Sequence, residues 1–323
     1  MERYLAPVYG WARRWSRIGT VGTLLLLALI RAFTSEISLS IQLIIALIAL
    51  LCGIPHGAID HLIAIPSTPR IRFLGYIIIY IAIALLAGWC IASWNLIGFQ
   101  LVLLMSALHF GFGDASYINE ERDAQGVERN PFWVETLYAL PAGFLPVMLP
   151  LTDHRTLKAL NRIHPTLDHW AGSHTQIIRM SVLLLALIAI IVLAITARLS
   201  LAVDLLLLAL LSIFAPPLIA FATYFGFWHA LRHTARLVPK LAKADALANV
   251  GRWRTAIWAA IIPGLYAIGG TLVVAAILMV KNPGKFSSSL LWSTLVIIWS
   301  LTVPHMMTTA GFDWRALGRK SSQ

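Results

Sequence analysis

Charged side chains are scarce in this sequence. Asp, Glu, Lys and Arg together make up 12% of its 323 residues, whereas apolar residues make up 59%. Because a soluble protein carries about 25% charged residues on average, this composition excludes an ordinary soluble enzyme and a disordered chain. A mean hydropathy of +0.79 indicates a polytopic membrane protein instead. The net charge of +11 is then explained by membrane orientation rather than by nucleic-acid binding.

Cysteine is also rare, with only Cys52 and Cys90, both inside apolar segments. Two separated cysteines provide neither a disulfide framework nor a CxxC metal motif. A cleavable signal peptide is not apparent, because residues 1–19 contain four arginines and no uninterrupted apolar core. We interpret 1–19 as a basic and aromatic interfacial segment, 20–310 as the transmembrane domain and 311–323 as a cytoplasmic tail.

Nine apolar segments are candidates for membrane-spanning helices. They lie near residues 20–35, 37–54, 73–94, 97–112, 132–150, 179–198, 204–231, 255–280 and 289–309. Segment 132–150 contains three prolines, and placing the most basic loops on one side of the membrane requires that it be re-entrant or interfacial. We therefore predict an all-α, polytopic transmembrane helical bundle of about eight spans. It would lie in the cell (inner) membrane with both termini in the cytoplasm.

Six of the ten histidines lie at the ends of these apolar segments. They are His56 and His61 in PHGAIDH, His109 in HFGFGD, His229 and His233 in WHALRH, and His305. Ionisable residues at membrane depth are energetically expensive and are functional candidates for that reason. In the eight-span topology their segments run in one direction and carry the histidines at one depth, which predicts a metal site between the helices. The remaining histidines, 154, 164, 169 and 174, are predicted to be solvated loop residues.

The spacing of the histidines indicates which of them can share a metal ion. His229 and His233 are four residues apart, so they lie on one face of a helix. His56 and His61 can bind the same ion only if the helix ends between them, and Gly57 would permit such an end.

Imidazole donors without thiolates suit iron, copper or zinc. We predict that Asp60 and Asp114 orient a ligating imidazole by bonding to its other nitrogen.

The three motifs together, in this order and within a polytopic chain, resemble the Brp/Blh family of membrane β-carotene dioxygenases over roughly residues 50–310. The resemblance implies Fe(2+)- and O2-dependent cleavage of β-carotene at its central 15,15′ double bond into two all-trans-retinals, which a microbial rhodopsin would receive. It also implies that His56, His109, His229 and His233 are the catalytic, metal-binding residues. His61 and His305 match the family less closely, as further ligands or partners.

Two other functions are open at this point. A membrane di-iron desaturase or hydroxylase of a lipid would use several HxxxH and HxxHH boxes, whereas this sequence has one HxxxH and no HxxHH. A transporter of metal ions or protons would distribute polar residues across the membrane rather than at one level. A rhodopsin-like protein is excluded because all six lysines lie in loops or in the tail. The oligomeric state is not predicted.

Overall fold

A computed structural model describes residues 3–33, 37–64, 69–270, 273 and 288–318. Within these ranges the chain is helical and contains no strand, which confirms the predicted all-α class. The helices are α1 (Ala6–Phe33), α2 (Leu39–Gly57), α3 (Asp60–Ala64), α4 (Arg70–Ser93), α5 (Asn95–Gln125), α6 (Phe132–Val147), α7 (His154–Ile163), α8 (Thr175–Ile195), α9 (Leu199–Phe214), α10 (Pro217–Thr223), α11 (Ala230–Leu237), α12 (Ala242–Asn249), α13 (Trp253–Ile261), α14 (265–270) and α15 (Ser288–Gly318). One π-helical turn, Tyr224–His229, joins α10 to α11.

Six helical segments are long and apolar enough to cross a membrane. They are Arg3–Phe33, Ile41–Ala64, Arg70–Ser93, Asn95–Gln125, Gly172–Ile195 and Trp292–Trp314, and α9 is a shorter apolar helix. Their outward surfaces carry exposed aliphatic side chains such as Leu85 and Ile195, which suits contact with lipid tails of similar polarity. A polytopic helical membrane protein is therefore confirmed. The count of eight spans stays a prediction, because much of segment 255–280 lies outside the described residues.

The bundle has two distinguishable ends. The proximal end contains Arg13, Ser200 and Leu317, which line one cavity. The distal end contains Asn95, the first residue of α5. Its amide lies 2.8 Å from Nε2 of His164, the residue that follows α7. Because Arg13 of α1 and Leu317 of α15 line the same cavity, the two ends of the described chain lie at the same end of the bundle.

Helix α1 passes through the boundary predicted at residue 19 without a break. Its Tyr9, Ser16 and Thr20 are buried in the bundle, so residues 6–19 pack within the domain rather than lying beside it. At the other terminus, α15 continues to Gly318. The tail predicted from residue 311 therefore begins inside a helix.

Helix α6 lies in segment 132–150, has 16 residues and is not among the six spans, so the re-entrant or interfacial placement of this segment stays a prediction. Phe132 lines the proximal cavity, whereas the Leu151 carbonyl, just beyond α6, accepts a hydrogen bond from the Trp170 indole near the distal end. The helix thus packs antiparallel to α5, as the contacts of Gly111 with Ala139 and of Gly143 with Ala107 also show. Its internal prolines are tolerated because most of its side chains are buried against neighbouring helices.

Segment 204–231, predicted as one span, contains a helical hairpin. Helix α9 begins at the proximal end, where Ser200 bonds to Arg13, and the helical hydrogen bonds stop at Pro216, which has no N–H to donate. Helix α10 then packs beside Pro150–Thr152 and leads back through the π turn into α11. The hairpin returns the histidines of WHALRH to the interior of the bundle.

Candidate metal centre

Five imidazole rings meet in the interior, each at most 9% exposed. They belong to His56 near the end of α2, His109 in α5, His229 in the π turn, His233 in α11 and His305 in α15. The ring centroids of His56 lie 5.0 Å from those of His229 and His233 and 5.7 Å from that of His305. The His109 centroid lies 5.2 Å from that of His229 and 5.4 Å from that of His305. We call these five residues the histidine cluster.

The histidine cluster contains buried nitrogens that have no hydrogen-bond partner among the residues described. They are Nδ1 of His56 and Nε2 of His109, His229 and His305. Leaving a buried polar atom unpaired costs about 1–3 kcal/mol, so four such atoms in one cluster indicate a missing partner. Rings that share one metal ion have centroids on the order of 5 Å apart, because each nitrogen lies about 2 Å from the ion.

The donor type, the ring spacing and the unbonded nitrogens fit a metal ion. As the side chains stand, however, no three His, Cys, Asp or Glu residues in the described ranges form a group that could hold one. Binding therefore requires the rings to adjust.

Two hydrogen bonds fix ring orientation within the cluster. Nδ1 of His305 lies 2.9 Å from a carboxylate oxygen of Asp60, which accepts a hydrogen bond from it. Nδ1 of His109 lies 3.1 Å from the Thr309 hydroxyl, and this hydroxyl donates to the His305 carbonyl. The hydroxyl hydrogen is thus engaged, so His109 is the donor in the pair. In both rings Nε2 is then left with its lone pair free for a metal.

The local sequence explains how the end of α2 positions His56 in the cluster. Pro55 lacks the N–H that would continue the helical pattern, and α2 ends at Gly57. The predicted helix end between His56 and His61 is therefore present, but the two rings diverge. The His61 ring packs on Phe73 at 6.0 Å and lies outside the cluster.

The two predicted carboxylate partners have different surroundings. Asp60 bonds to His305, as the prediction requires of a carboxylate partner, and also accepts a hydrogen bond from Tyr80. Asp114 is bonded instead to Arg232 at 2.7 Å, to the Trp228 indole and to the Tyr138 hydroxyl.

The four loop histidines lie away from the cluster. Among them, His164 bonds to Asn95 and Thr166 and packs on Trp292.

Buried arginines next to the cluster were missed by the sequence analysis. Arg232 is 2% exposed, lies 3.9 Å above the Trp228 ring and pairs with both Asp114 and Asp204. One turn later, Arg236 pairs in the same way, with Glu120 and Asp313. Helix α11 thus carries its arginines at the same i, i+4 spacing as His229 and His233. The sequence WHALRHTAR shows that spacing, and it could have been used to predict the two arginines as part of the site.

Aromatic side chains form one wall of the cluster. The rings of Phe110 and His229 are 4.5 Å apart, and Phe225 and Tyr224 pack on the same imidazole. The Tyr224 hydroxyl is buried without a partner in the described part of the chain. It lines a small cavity with His229, His233 and Arg232. Water is therefore largely excluded from this side of the cluster.

Comparison with known proteins identifies the family. Residues 46–313, which include all five histidines, match the family described as Beta-carotene 15,15′-dioxygenase. The chain belongs to this family. The resemblance drawn from the three motifs is therefore confirmed.

Relatives of this dioxygenase family cover most of the chain. A protein of Halobacterium salinarum named "Probable beta-carotene 15,15′-dioxygenase Blh" is 28% identical over 299 residues, which span 82% of either chain. The "Beta-carotene 15,15′-dioxygenase" of an uncultured marine bacterium, 66A03, is 28% identical over 269 residues, or 79% of this chain and 88% of its own. No solved structure is significantly similar.

Proposed function

We propose that this chain is an iron-dependent membrane enzyme that uses O2 to cleave β-carotene at its central 15,15′ double bond. One β-carotene and one O2 give two all-trans-retinals, so both oxygen atoms enter the products and no external reductant is needed. The observation that carries the proposal is the histidine cluster with its unbonded nitrogens. The names of both relatives support the substrate and the bond cleaved.

The iron would be held by His56, His109, His229 and His233, with His305 as a fifth donor. Bound Fe(2+) supplies the redox chemistry that O2 needs in order to react with an alkene. The donors are imidazoles without thiolates, a set that suits iron as well as copper or zinc. Asp60 and Thr309 hold the His305 and His109 rings with Nε2 toward the cluster, so that less reorganisation accompanies binding.

The surroundings of the cluster suit a hydrocarbon substrate. β-Carotene dissolves in the bilayer, so an enzyme embedded there can take it directly from lipid. Phe110, Tyr224 and Phe225 provide flat apolar surface beside the cluster and keep water from the reacting double bond. In this proposal the protein lies in the cell membrane with cytoplasmic termini, and the retinal passes to a microbial rhodopsin.

The test is expression of the chain in cells that accumulate β-carotene, followed by extraction and quantification of carotene and retinal. Loss of carotene with about two retinals formed per carotene is expected, and only with iron and oxygen present. The single variants His56→Ala, His109→Ala, His229→Ala and His233→Ala should each abolish retinal formation while the protein still reaches the membrane. His164→Ala, at the distal end, is the matched control and should remain active. Unchanged carotene in the wild type would refute the proposal.

A further inference from the structure

A second cavity lies at the proximal end of the bundle. Its volume is about 800 Å³, within the range of about 300–1,000 Å³ typical of small-molecule sites. It is enclosed by the end of α5, the loop into α6 and the turn between α8 and α9, with Arg13 and Leu317 at its edge. None of the five clustered histidines lines it, so this cavity is separate from the candidate metal centre.

Two of the four arginines that line the cavity are already neutralised. Arg13 pairs with Glu121 at 2.6 Å and also bonds to Ser200. Arg129 forms a two-pronged ion pair with Asp123. These ion pairs stabilise the wall of the cavity, and they leave little of the positive charge of Arg13 and Arg129 for a ligand.

The other two arginines, Arg122 and Arg198, hydrogen-bond to backbone carbonyls rather than to carboxylates within the described ranges. Arg122 donates Nε to the carbonyl of Glu128 at 2.5 Å, and Arg198 donates to the carbonyl of Thr196 at 3.1 Å. Across the described ranges neither guanidinium forms an ion pair with a carboxylate. Both side chains are half-buried, so each offers free N–H donors to the cavity. Guanidinium groups in such a setting bind phosphate through parallel hydrogen bonds.

The cavity also presents an acceptor without a donor. Glu135, in the first turn of α6, is 5% exposed and lines the cavity. One of its carboxylate oxygens accepts from the Asn119 amide. The other, Oε2, is buried and has no partner among the residues described. An unpaired buried carboxylate oxygen favours a ligand that brings an N–H donor.

The mouth of the cavity has the features of a membrane interface. Phe132 and Leu199 line it and are 66% and 64% exposed. The Arg198 guanidinium lies 5.2 Å from the ring of the half-exposed Trp133. Aromatic and basic residues concentrate at the depth of lipid headgroups, and apolar α8 ends at this rim. The cavity is therefore accessible to lipid from the side.

We propose that this cavity binds a phospholipid headgroup of the aminoethyl phosphate type, that is, phosphatidylethanolamine. Arg122 and Arg198 bind the phosphate, and Glu135 accepts a hydrogen bond from the ammonium group. The acyl chains lie along the exposed apolar side chains of Phe132 and Leu199. A choline headgroup lacks the N–H donor, and a glycerol headgroup lacks the positive charge, so neither satisfies Glu135 as well.

The test is native mass spectrometry of the purified full-length chain in detergent. The chain is titrated separately with phosphatidylethanolamine, phosphatidylcholine and phosphatidylglycerol of identical acyl chains, and with free O-phosphoethanolamine. The wild type should bind one phosphatidylethanolamine at least tenfold more tightly than either other lipid or the free headgroup. The Glu135→Gln variant should lower the preference for phosphatidylethanolamine over phosphatidylcholine to less than threefold.

Removal of the phosphate contacts provides the second arm. The double variant Arg122→Gln/Arg198→Gln should bind all three lipids equally weakly, whereas the control Arg162→Gln, exposed on α7, should behave as the wild type. Gel filtration and melting temperature verify folding, and the single variant Arg198→Gln, which should bind all three lipids more weakly than the wild type, replaces the double variant if it misfolds. Equal binding of the three lipids by the wild type would overturn the proposal, and so would free headgroup binding as tightly as lipid.

Discussion

Nδ1 of His305 lies 2.9 Å from Oδ2 of Asp60, although the two residues are 245 positions apart in the chain. The bond joins α15 to the start of α3 and directs Nε2 of His305 toward the other rings of the cluster. Tyr80 donates a hydrogen bond to the same carboxylate oxygen from α4. Asp60 therefore anchors one histidine of the cluster to two further helices.

We expect Asp60→Asn to weaken iron binding by about 10–100-fold, the usual cost of losing a carboxylate behind a ligating imidazole. An amide accepts a weaker bond from His305 and leaves the ring less firmly oriented. Iron retained after gel filtration at graded chelator concentrations measures the effect. Tyr80→Phe removes one bond to the carboxylate but keeps the carboxylate itself, so it should bind iron several-fold more tightly than Asp60→Asn. Equal iron affinity of the two variants would contradict the orienting role of Asp60.

His305 and His61 both match the family motifs less closely than the other four histidines do. Substituting each of them shows which one binds the metal. His305→Ala should lower bound iron and retinal formation at least tenfold, because the variant loses a donor whose Nε2 is buried in the cluster. His61→Ala should change both by less than threefold, because its ring packs on Phe73 outside the cluster. Metal content per chain and retinal yield are measured side by side. An inactive His61→Ala variant with active His305→Ala would reverse the assignment.

The α5–α6 contact explains one glycine of the HFGFGD motif. A Cβ on Gly111 would lie 2.0 Å from the Ala139 carbonyl oxygen of α6. On α6, a Cβ on Gly143 would lie 1.8 Å from the Ala107 carbonyl oxygen. Each helix thus presents a small residue every fourth position, which permits close packing of membrane helices.

We expect Gly111→Ala to lower stability by about 1–3 kcal/mol or more, because backbone atoms cannot rotate away from the added methyl group. The matched control is Gly113→Ala, in the same motif, where the nearest atom to a new Cβ is 3.8 Å away on Arg236. The melting temperature in detergent and the monodisperse yield should fall for Gly111→Ala only. A comparable loss for both variants would contradict the packing explanation, because alanine has the higher helix propensity and only Gly111 contacts the α6 backbone.

The sequence was sufficient to predict the histidine cluster but not the path of every segment. Imidazoles at the ends of apolar segments are costly unless they are used together, so their convergence followed from energetics. Hydropathy alone does not distinguish a long span from a hairpin of two shorter helices, which is why 204–231 was misassigned. Pro216 was the local signal for that hairpin. The packing of α6 on α5 depends on contacts such as Gly111 with Ala139, which link separate segments.

The ion pairs of Arg232 with Asp114 and Asp204, here called the Arg232 network, were harder to predict from the sequence than the histidine cluster. The partners Asp114 and Asp204 come from α5 and α9, and no motif connects these positions in sequence. Only the packed structure brings the three charges together. The arginine spacing on α11 was visible, but the identity of its partners was not.

The Arg232 network allows a final prediction about stability. Arg232→Met removes the cation shared by two buried carboxylates and should cost about 3–5 kcal/mol, because unpaired buried charge is more costly than no charge. The double variant Arg232→Met/Asp114→Asn removes the carboxylate that has lost its cation, whereas Asp204 keeps its pair with Arg17 at 2.7 Å. It should recover more than 1 kcal/mol of that loss. Arg162→Met, exposed on α7, is the control and should stay within about 0.5 kcal/mol of the wild type. Denaturant titration in mixed micelles measures the four proteins, and a double variant less stable than Arg232→Met alone would show that Asp114 stabilises the fold without the arginine.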